Sequence, residues 1–486
     1  MTSLTFYGGV GEIGGNKILF EHRGTGVLLD FGLSFGQTAR YFSEFLQPRK
    51  CSALEDFFEF ELLPDIKGIY RQDYLSHMGR PKEERRVDAL LLSHAHADHA
   101  QYIHFLRTDI PIYCSKETLI ILEALEETGS NPFSDLVTSC EAFTFYTNKN
   151  GSLSRVDRKN KDYLTERSYN ILDPEKRFKI GSLEIEMLPV DHSMPGACGF
   201  IIYTDAGNLV YTGDIRFHGY HNGWSKRFIE RSKEAGTKWL LCEGTRIEKG
   251  EINSEEGVKK ELTGLIRNSK GLVFIEHPIR DLYRVKSILD ASKANKREFV
   301  VNLKLAYLIE KMGDLSPVKP GEVKILIPRK SWGLIAKEDL DAQLVEKDYD
   351  MWERGFLWRE NSITFKELKK NPMLYVVSMN LWEINQLTDI KPKNALWIKS
   401  ICEPFNEEME IDEERKRNWL SHFNIKEGLA HASGHASGEE LIQMIKTVSP
   451  AVLFPIHTKK PGEFGSLLEG TDTEIVEPVA GRTYSL

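Results

Sequence analysis

Three histidines and an aspartate lie within six residues of one another, directly after an apolar run. The stretch SHAHADHA follows the run VDALLL of residues 87–92. On an extended segment residues i and i+2 point the same way, so His94 and His96 can share one cation. Asp98 and His99 follow where the chain begins a helix, which displaces them enough to face a second cation. The alternative is a solvated polar turn, but clustered histidines without a cation repel one another once protonated.

The same pattern, an apolar strand that ends in a residue able to bind metal or phosphate, recurs four more times. These endings are at His192, Asp214, Glu243 and His457. A single histidine after a buried strand is more often a core residue than a ligand. The ends of strands in a sheet-based fold converge at one edge, however, so five such endings together favour a single site.

Length and composition indicate a multidomain globular chain. Its 486 residues suit two or three domains, and it has 41% hydrophobic and 28% charged residues without an apolar run long enough to span a membrane. The N-terminus lacks the features of a secretion signal, so we expect a cytoplasmic location and no membrane partner. A net charge of -8 does not indicate a nucleic-acid binder, although a local basic channel or bound cations could still attract phosphate.

Several segments have a simple local interpretation. The glycine-rich loop at residues 8–16 is predicted to be a tight turn close to the site, because no dinucleotide-binding fingerprint follows it. Asp30 ends a strand, where it either orients the histidine loop or caps a turn. Residues 33–86 are irregular and aromatic-rich and are predicted to form a surface insertion. Residues 125–180 are predicted to be loop-rich.

Two further regions have clear secondary-structure patterns. Residues 272–302 have a β-α-β pattern, and residues 373–379 and 395–399 are predicted to add strands. A helix is predicted from residue 438, with Ser437 as its N-cap and Glu440 completing a capping box.

Taken together, these motifs resemble those of the metallo-β-lactamase superfamily. Three additional motifs resemble those of the β-CASP nucleases, and within that group the chain is most similar to the ribonuclease J family. The resemblance rests on the HAHADH stretch at 94–99, His192, the TGD stretch at 212–214, the CEGT stretch at 242–245, the HASGH stretch at 431–435 and the PIHT stretch at 455–458.

The resemblance implies an α/β fold. Specifically, it implies a metallo-β-lactamase αββα sandwich with an inserted β-CASP α/β cap domain. The predicted division is residues 1–244 for the first part of the metallo-β-lactamase domain, 245–430 for the cap and 431–486 for the return segment. The last motif lies close to residue 486, so we expect no counterpart of the C-terminal domain through which longer ribonuclease J proteins assemble. Whether the chain forms a homodimer stays open.

The resemblance also assigns seven ligands to two divalent metal ions. The donor set suits zinc, with manganese as the alternative. Metals about 3.5 to 4 Å apart can share a hydroxide that attacks a phosphodiester. His94, His96 and His192 would hold the first metal, Asp98, His99 and His457 the second, and Asp214 would bridge them.

The remaining site residues are also assigned by resemblance. Asp98, His435 and Glu243 are the predicted catalytic residues. His435 would protonate the leaving oxygen or stabilise its charge, and Glu243 would orient it. His431, Ser433 and His435 would bind substrate phosphate, the alternative being a glycine-serine loop with two solvated imidazoles. Ribonuclease J proteins more commonly have aspartate at the position of Glu243, which leaves the geometry of that pair open.

The resemblance implies a metal-dependent phosphodiesterase that hydrolyses single-stranded RNA, a 5′-to-3′ exonuclease with endonuclease action left open. A single-stranded DNA nuclease is the alternative, although DNA-acting members tend to lack the last histidine, His457. A non-catalytic β-CASP partner protein is a third hypothesis, disfavoured because all seven metal positions are filled.

The strand would lie in the cleft between the two domains. Arg246, Arg280 and Arg284 are candidate phosphate contacts, although a solvated role is more usual for any one arginine. Of the cap tryptophans at 332, 352, 358 and 382, most are expected in the core, with one or two left to stack on bases.

Overall fold

Three seven-stranded sheets form the framework of the chain. The computed structural model describes residues 1–43, 45–248, 250, 253–335, 340–403 and 407–486. The strands in this part of the chain are β1 (Thr2–Gly8), β2 (Lys17–His22), β3 (Thr25–Phe31), β4 (Ala89–Leu91), β5 (Ile112–Cys114), β6 (Thr138–Cys140), β7 (Phe145–Thr147), β8 (Leu153–Arg155), β9 (Leu164–Glu166), β10 (Tyr169–Ile171), β11 (Arg177–Ile180), β12 (Leu183–Pro189), β13 (Cys198–Tyr203), β14 (Asn208–Tyr211), β15 (Thr237–Glu243), β16 (Val273–Glu276), β17 (Glu298–Val301), β18 (Lys324–Leu326), β19 (Ser362–Ile363), β20 (Tyr375–Ser378), β21 (Leu396–Lys399), β22 (Lys426–Leu429), β23 (Val452–Ile456), β24 (Glu474–Ile475) and β25 (Thr483–Ser485).

Helices surround the sheets. The α-helices are α1 (Phe35–Tyr41), α2 (Glu55–Glu59), α3 (Gln72–His77), α4 (Ala97–Ala100), α5 (Lys116–Thr128), α6 (Asn222–Glu234), α7 (Glu255–Asn268), α8 (Leu282–Ala294), α9 (Leu303–Met312), α10 (Ala342–Glu346), α11 (Met351–Arg354), α12 (Phe365–Lys370), α13 (Leu387–Ile390), α14 (Glu407–His422), α15 (Gly438–Val448) and α16 (Glu463–Leu467). Short 3₁₀ helices span Lys50–Ser52, Gln101–Phe105, Lys161–Tyr163, Gly313–Leu315, Pro320–Glu322 and Leu381–Gln386. No helix in the described ranges is long and apolar enough to cross a bilayer.

The first two sheets form the predicted αββα sandwich. The first has the order β10-β5-β4-β3-β2-β1-β25, and the second has the order β11-β12-β13-β14-β15-β23-β24. Their facing side chains, such as Leu29, Phe200 and Phe454, make one core. In β3 the alternate residue Leu28 points away from that core and packs under helices, which explains why every residue of β3 is buried. The predicted sandwich is therefore confirmed.

The third sheet is an insertion into the second. It has the order β19-β18-β17-β20-β16-β21-β22, with every pair parallel. Its strands lie between β15 and β23 in the chain, and β15 and β23 pair directly in the second sheet. The predicted β-α-β pattern is confirmed as β16, α8 and β17, and we call this inserted unit the cap. The boundaries predicted at 244/245 and 430/431 stay a prediction.

One sequence-based expectation was wrong. Residues 33–86 are not a surface insertion, because Leu54, Phe57, Tyr70 and Leu75 are buried against the outer face of the first sheet. Most aromatic residues of this stretch, including Phe57 and Tyr70, form part of a continuous core with β3, β4 and α5. Large aromatic side chains bury much apolar surface, and here that surface belongs to the helical layer of the sandwich.

Parallel pairing brings the predicted strand endings together. Leu29 pairs with Leu91, Tyr211 with Leu241, and Glu243 with Ile456. The residues that follow these positions therefore leave the two sheets at the same edge. The predicted helix after Ser437 is confirmed as α15, with the capping box between Ser437 and Glu440 present. This edge holds the candidate site.

Candidate metal centre

Four of the predicted ligands form a first group. His94, His96, His192 and Asp214 each offer one ligand atom, and these atoms all lie within 4.8 Å of one another. His96 Nδ1 lies 2.9 Å from His94 Nε2 and 3.1 Å from His192 Nε2. Asp214 Oδ2 is 3.5 Å from His94 Nε2 and 3.6 Å from His192 Nε2. The structure thus brings together residues that lie 120 positions apart in the chain.

The second group contains Asp98, His99 and His457. Asp98 Oδ2 lies 3.2 Å from His457 Nε2 and 3.9 Å from His99 Nε2. Asp214 is between the two groups, because its Oδ2 is 3.3 Å from His99 Nε2 and its Oδ1 is 3.7 Å from His457 Nε2. Each predicted ligand therefore lies beside the partners that the sequence motifs assigned to it.

The polar atoms inside the cluster fit divalent metal ions. His99 Nε2 and Asp214 Oδ1 are buried and have no hydrogen-bond partner, whereas buried polar atoms normally have one. His99 Nε2 lies 3.3 Å from Asp214 Oδ2, and Asp214 Oδ1 lies 3.7 Å from His457 Nε2, all of them atoms that can act as metal ligands. Imidazole nitrogen with carboxylate oxygen is a donor set that zinc accepts. The site can hold divalent metal on these grounds.

The protonation state of three of the cluster histidines also suits cation binding. Burial, with the neighbouring histidines, lowers the pKa of His94 and of His192 well below the usual range. Burial lowers the pKa of His96 to about 4. These three imidazoles are therefore neutral at pH 7 and have a free nitrogen lone pair. Burial acts to lower the pKa of His99 as well, but the carboxylates of Asp214 and Asp98 outweigh it and raise this pKa.

Asp30 orients the histidine loop. Its carboxylate accepts hydrogen bonds from the Ser93 backbone N–H at 2.7 Å and the Ser93 hydroxyl at 2.7 Å, and lies 2.6 Å from His99 Nδ1. A proton held on Nδ1 leaves Nε2 of His99 to face the centre. Of the two roles considered for Asp30 from sequence, the structure shows the orienting one.

Two partners of the ligands were not predicted from the sequence. His192 Nδ1 lies 2.5 Å from the Gly434 carbonyl oxygen, and His457 Nδ1 lies 2.8 Å from Thr245 Oγ1. Both contacts direct the Nε2 atoms of these histidines toward the centre. Gly434 and Thr245 are in the HASGH and CEGT stretches, so their positions inside those motifs were the available signal.

The glycine loop lies against the Asp98 segment, as predicted. The backbone N–H groups of Gly15 and Asn16 donate to the Asp98 carbonyl oxygen at 3.1 and 3.2 Å. A Cβ at Gly14 would lie 2.6 Å from Asp98 Cβ, and a Cβ at Gly32 would lie 1.7 Å from the Asp98 carbonyl oxygen. Only glycine permits this approach.

His435 and Glu243 lie beside the two metal groups. His435 Nδ1 is 3.1 and 3.2 Å from the two Glu243 carboxylate oxygens and 3.9 Å from Asp214 Oδ2. Glu243 is buried and also accepts from the Ile215 N–H at 3.0 Å, which fixes its position. Burial acts to lower the pKa of His435, but the Glu243 and Asp214 carboxylates outweigh it and raise this pKa to about 9.

The other two predicted phosphate-binding residues are in the same loop. Ser433 Oγ accepts from the His435 N–H at 3.1 Å. His431 Nδ1 lies 3.4 Å from Arg284 Nη1, and burial, followed by the Arg284 charge, lowers the pKa of His431 to about 4. A neutral His431 can accept or donate one hydrogen bond on each nitrogen.

Comparisons with known proteins agree with this geometry. Residues 63–251 match the model of the Beta-lactamase superfamily domain, and residues 426–469 match that of the Zn-dependent metallo-hydrolase RNA specificity domain. The chain is therefore similar to proteins of the metallo-β-lactamase superfamily. Within it, the chain resembles ribonuclease J proteins over most of its length, as the sequence motifs indicated.

Similar proteins include curated relatives and a solved structure. Ribonuclease J of Mycobacterium tuberculosis is 28% identical over 299 residues, which are 60% of this chain and 42% of that protein. Ribonuclease J of Mycolicibacterium smegmatis is 25% identical (93% of this chain, 68% of that protein), and that of Pyrococcus abyssi is 23% identical (96% and 91%). The chain thus spans less than half of the Mycobacterium tuberculosis relative. A crystal structure of a protein of unknown function from Enterococcus faecalis V583 shares the fold, with a TM-score of 0.74, 24% identity and 100% coverage of both chains.

A second group of buried charges joins the cap to the domain that contains the candidate metal centre. We call it the arginine–carboxylate cluster: Asp191, Arg216, Glu255, Asp281 and Arg284. Arg284 donates to Glu255 at 2.7 and 3.0 Å, and Arg216 donates to Glu255 and Asp191, each at 2.9 Å. Arg284 also donates to the Ala432 carbonyl at 3.0 Å, and Arg216 to the Ser433 carbonyl at 3.2 Å. The cluster therefore holds the 431–435 loop.

This arrangement corrects the prediction for Arg284. The side chain is neither solvated nor available to substrate phosphate, because it is 1% exposed and its donors are directed to protein acceptors. Arg280 differs from it, since its charge acts on His96 and Asp98. Arg280 and Arg246 as phosphate contacts stay a prediction.

Proposed function

We propose that the chain is a metal-dependent phosphodiesterase that hydrolyses single-stranded RNA as a 5′-to-3′ exonuclease. The observation that carries the proposal is the convergence of seven ligand side chains, from His94 to His457, around buried atoms without hydrogen-bond partners. The match to an RNA specificity domain and the similarity to proteins named ribonuclease J support RNA as the substrate. A non-catalytic role is not favoured, because no ligand position is lost.

Two zinc ions are the proposed cofactors, with manganese as the alternative. His94, His96 and His192 would hold one ion, Asp98, His99 and His457 the other, and Asp214 lies where it can contact both. When bound, such ions lower the pKa of water and bind phosphodiester oxygens. The protein supplies the orientation of the ligands, through Asp30 for His99, Gly434 for His192 and Thr245 for His457.

His435 is the proposed general acid. Glu243 holds the Nδ1 proton of its ring, so Nε2 is the atom that can give a proton to the leaving oxygen as water adds to phosphorus and the P–O bond breaks. The neighbouring Glu243 and Asp214 carboxylates favour the protonated ring that a general acid requires. The side chain of His435 is 21% exposed, which suits an acid that contacts the substrate. Glu243 is fully buried, which suits a carboxylate that positions His435.

His431 and Ser433 are proposed to bind a non-bridging or neighbouring phosphate oxygen. They lie just before α15, whose N-terminus points its backbone N–H groups toward this loop. Their main chain is fixed by Arg216 and Arg284, and Asn253 Nδ2 donates to the His431 carbonyl at 3.1 Å. A fixed loop presents its side chains to phosphate with little loss of conformational entropy.

The test is the degradation of end-labelled RNA and single-stranded DNA of the same sequence. Each strand would carry a 5′-monophosphate, a triphosphate or a hydroxyl, with zinc or manganese added after removal of other metals. We expect RNA to be degraded in a metal-dependent manner, with the 5′ label released as a mononucleotide. Release of internal fragments would indicate endonuclease action, and preferential DNA degradation would indicate the alternative substrate. No metal-dependent cleavage of either would refute the proposal.

A further inference from the structure

The carboxyl edge of the cap sheet faces the metal centre. Because every strand of this sheet is parallel, all of their carboxyl ends lie along one edge. At β21 this edge continues into Ser400, whose hydroxyl and carbonyl accept from Arg284 at 2.7 and 3.0 Å. Arg284 in turn donates to the Ala432 carbonyl, in the loop that contains His431 and His435. A strand of RNA at the centre therefore lies beside this edge.

Further along the same edge there is a cavity that the proposed catalysis does not use. It has a volume of about 350 Å³ and lies between residues 329–333, which follow β18, and residues 385–389, which follow β20. Three strand spacings separate β18 from β16, a distance of roughly 14 Å at about 4.8 Å per spacing. The cavity therefore lies three strands along this edge from β16, where a different nucleotide of the same RNA strand would lie.

Trp332 is the aromatic residue among those that line this cavity. Trp332 is 87% exposed, and Trp358 and Trp382 are exposed as well, so the expectation that most of the four cap tryptophans lie in the core was wrong. The backbone that carries Trp332 is nevertheless fixed, because Asp348 accepts from the N–H groups of Trp332 and Leu334 at 3.3 and 3.0 Å. Ser331 has φ +36°, in the left-handed region that non-glycine residues rarely adopt.

The charges around the cavity are already paired. Arg329 donates to Asp389 at 2.7 Å, and Lys330 donates to Glu353 at 2.5 and 2.6 Å. The cavity therefore offers an indole face and the side-chain amides of Asn385 and Gln386 but little net positive charge. A flat, uncharged base suits such a surface better than a phosphate does, because stacking on an aromatic ring requires no counter-charge.

We propose that Trp332 stacks on a base of the substrate RNA, several nucleotides from the bond that is cleaved. The inference rests on the proposed function, and it adds a second binding position that accounts for an exposed indole on a hydrogen-bonded backbone. Stacking of one base on an aromatic ring contributes enough affinity to change the dissociation constant about 5- to 150-fold. Because phosphate contacts dominate the salt dependence of RNA binding, the loss of Trp332 should leave that dependence unchanged.

The test compares the binding of a short and a long RNA to the metal-free chain, in which cleavage does not interfere. Fluorescence anisotropy would give dissociation constants for labelled oligomers of about 4 and about 16 nucleotides, the usual range of single-strand site sizes. For Trp332→Ala we expect the affinity advantage of the long RNA over the short one to fall about 5- to 150-fold, with an unchanged salt slope. Trp332→Phe should retain most of that advantage, because the ring can still stack.

Phe145→Ala is the matched control, since Phe145 is also an exposed aromatic, at 62%, on β7 outside the cap sheet. An unchanged affinity of Trp332→Ala for both RNA oligomers would overturn the proposal and would favour a protein partner for the exposed indole. An equal loss for both RNA lengths would overturn it too, because it would place Trp332 next to the centre. If the native chain degrades RNA but Trp332→Ala does not show the expected loss, the stacking proposal fails and the proposed function stands. If the native chain neither binds nor degrades RNA, both proposals fail.

Discussion

The metal centre and the arginine–carboxylate cluster are both buried groups of charged side chains, but their polar atoms are satisfied differently. In the metal centre His99 Nε2 and Asp214 Oδ1 have no hydrogen-bond partner, and both can act as ligand atoms. In the cluster Glu255 accepts from both Arg216 and Arg284. The unpartnered atom among the cluster's described side chains is Arg216 Nη2, a donor that cannot bind a cation.

This difference distinguishes a ligand-binding site from a structural contact between two parts of the chain. Ligand atoms that converge without hydrogen-bond partners fit an added cation, so the candidate metal centre would be completed by something outside the chain. Oppositely charged groups that converge in pairs are complete in themselves, and they fix the cap against the 431–435 loop. Loss of a ligand should therefore affect chemistry more than folding, and loss of a cluster residue should affect folding directly.

The largest expected effect is on the bridging position. Asp214→Ala should lower RNA hydrolysis by at least about a thousand-fold, because the side chain contacts both ligand groups and catalysis depends on the metals they hold. Turnover of end-labelled RNA and the metal content of the purified chain would measure this. Asp314→Ala, at a fully exposed carboxylate, is the control. An Asp214→Ala variant with native turnover would refute the assigned centre.

His435→Gln should slow hydrolysis about 10²- to 10⁴-fold with both metals retained, because general acid catalysis typically contributes that factor. The His435 ring contacts Glu243 and lies 3.9 Å from Asp214, so its position alone fits either a general acid or a metal ligand. The variant tests which of these two roles His435 has. Metal analysis alongside single-turnover kinetics would make the distinction. Loss of metal from this variant would move His435 from the acid role to the ligand set.

Glu255→Gln should lower the free energy of unfolding by about 3 to 5 kcal/mol, because it leaves two buried guanidinium groups without their shared carboxylate. Urea denaturation of the metal-free chain would measure it. The neighbouring Glu256→Gln is the control, since that side chain is 73% exposed. Equal free energies of unfolding for Glu255→Gln and Glu256→Gln would show that the cluster does not fix the cap against the 431–435 loop.

Asp30→Asn should weaken metal binding about 10- to 100-fold, the usual effect of removing a partner that orients a ligand. Asp30 is fully buried and contacts His99 rather than the metal position itself. Competition with a chelator of known affinity would give the metal dissociation constant. An unchanged metal dissociation constant would indicate that Asp30 positions Ser93 and Tyr211, its other hydrogen-bond partners, and not the ligand His99.

The smallest expected effect is a change in the pH dependence of stability. Burial, followed by the Glu255 carboxylate, raises the pKa of Asp281 to about 6, against roughly 3.9 in an unfolded chain. Between these values the folded chain binds more protons than the unfolded one, so the free energy of unfolding falls as pH rises from about 4 to about 6.

Asp281→Asn removes this titration and keeps the acceptor that caps α8. Relative to the native chain, the variant should gain about 1 to 2 kcal/mol of stability as pH rises through that window. Urea denaturation at several pH values would test it. A difference that did not vary with pH would show that Asp281 titrates alike in the folded and unfolded chains.

The two regions also differ in how well the sequence predicts them. The ligands of the metal centre follow apolar strands at fixed motif spacings, and parallel strand ends share an edge, so the positions of His192, Asp214 and His457 follow from local patterns. The helix after Ser437 could be predicted for the same reason, because its capping box is contained in four residues.

The arginine–carboxylate cluster could not be predicted in this way. Arg284 meets the carbonyl of Ala432, 148 positions away, and nothing beside Arg284 in the sequence distinguishes a buried arginine from a solvated one. The burial of residues 33–86 was missed for a related reason. Their aromatic residues have no helix or strand period, and periodicity is the signal that separates a core face from a surface loop.

The contact between Asp98 and His457 joins residues 359 positions apart. During synthesis on the ribosome, the first group of ligands is available once Asp214 has emerged, whereas the second lacks its last histidine until β23 has added to the second sheet beside β15. Contacts of such long sequence separation form late in folding. A nascent chain therefore contains all side chains of the first ligand group long before it contains all those of the second.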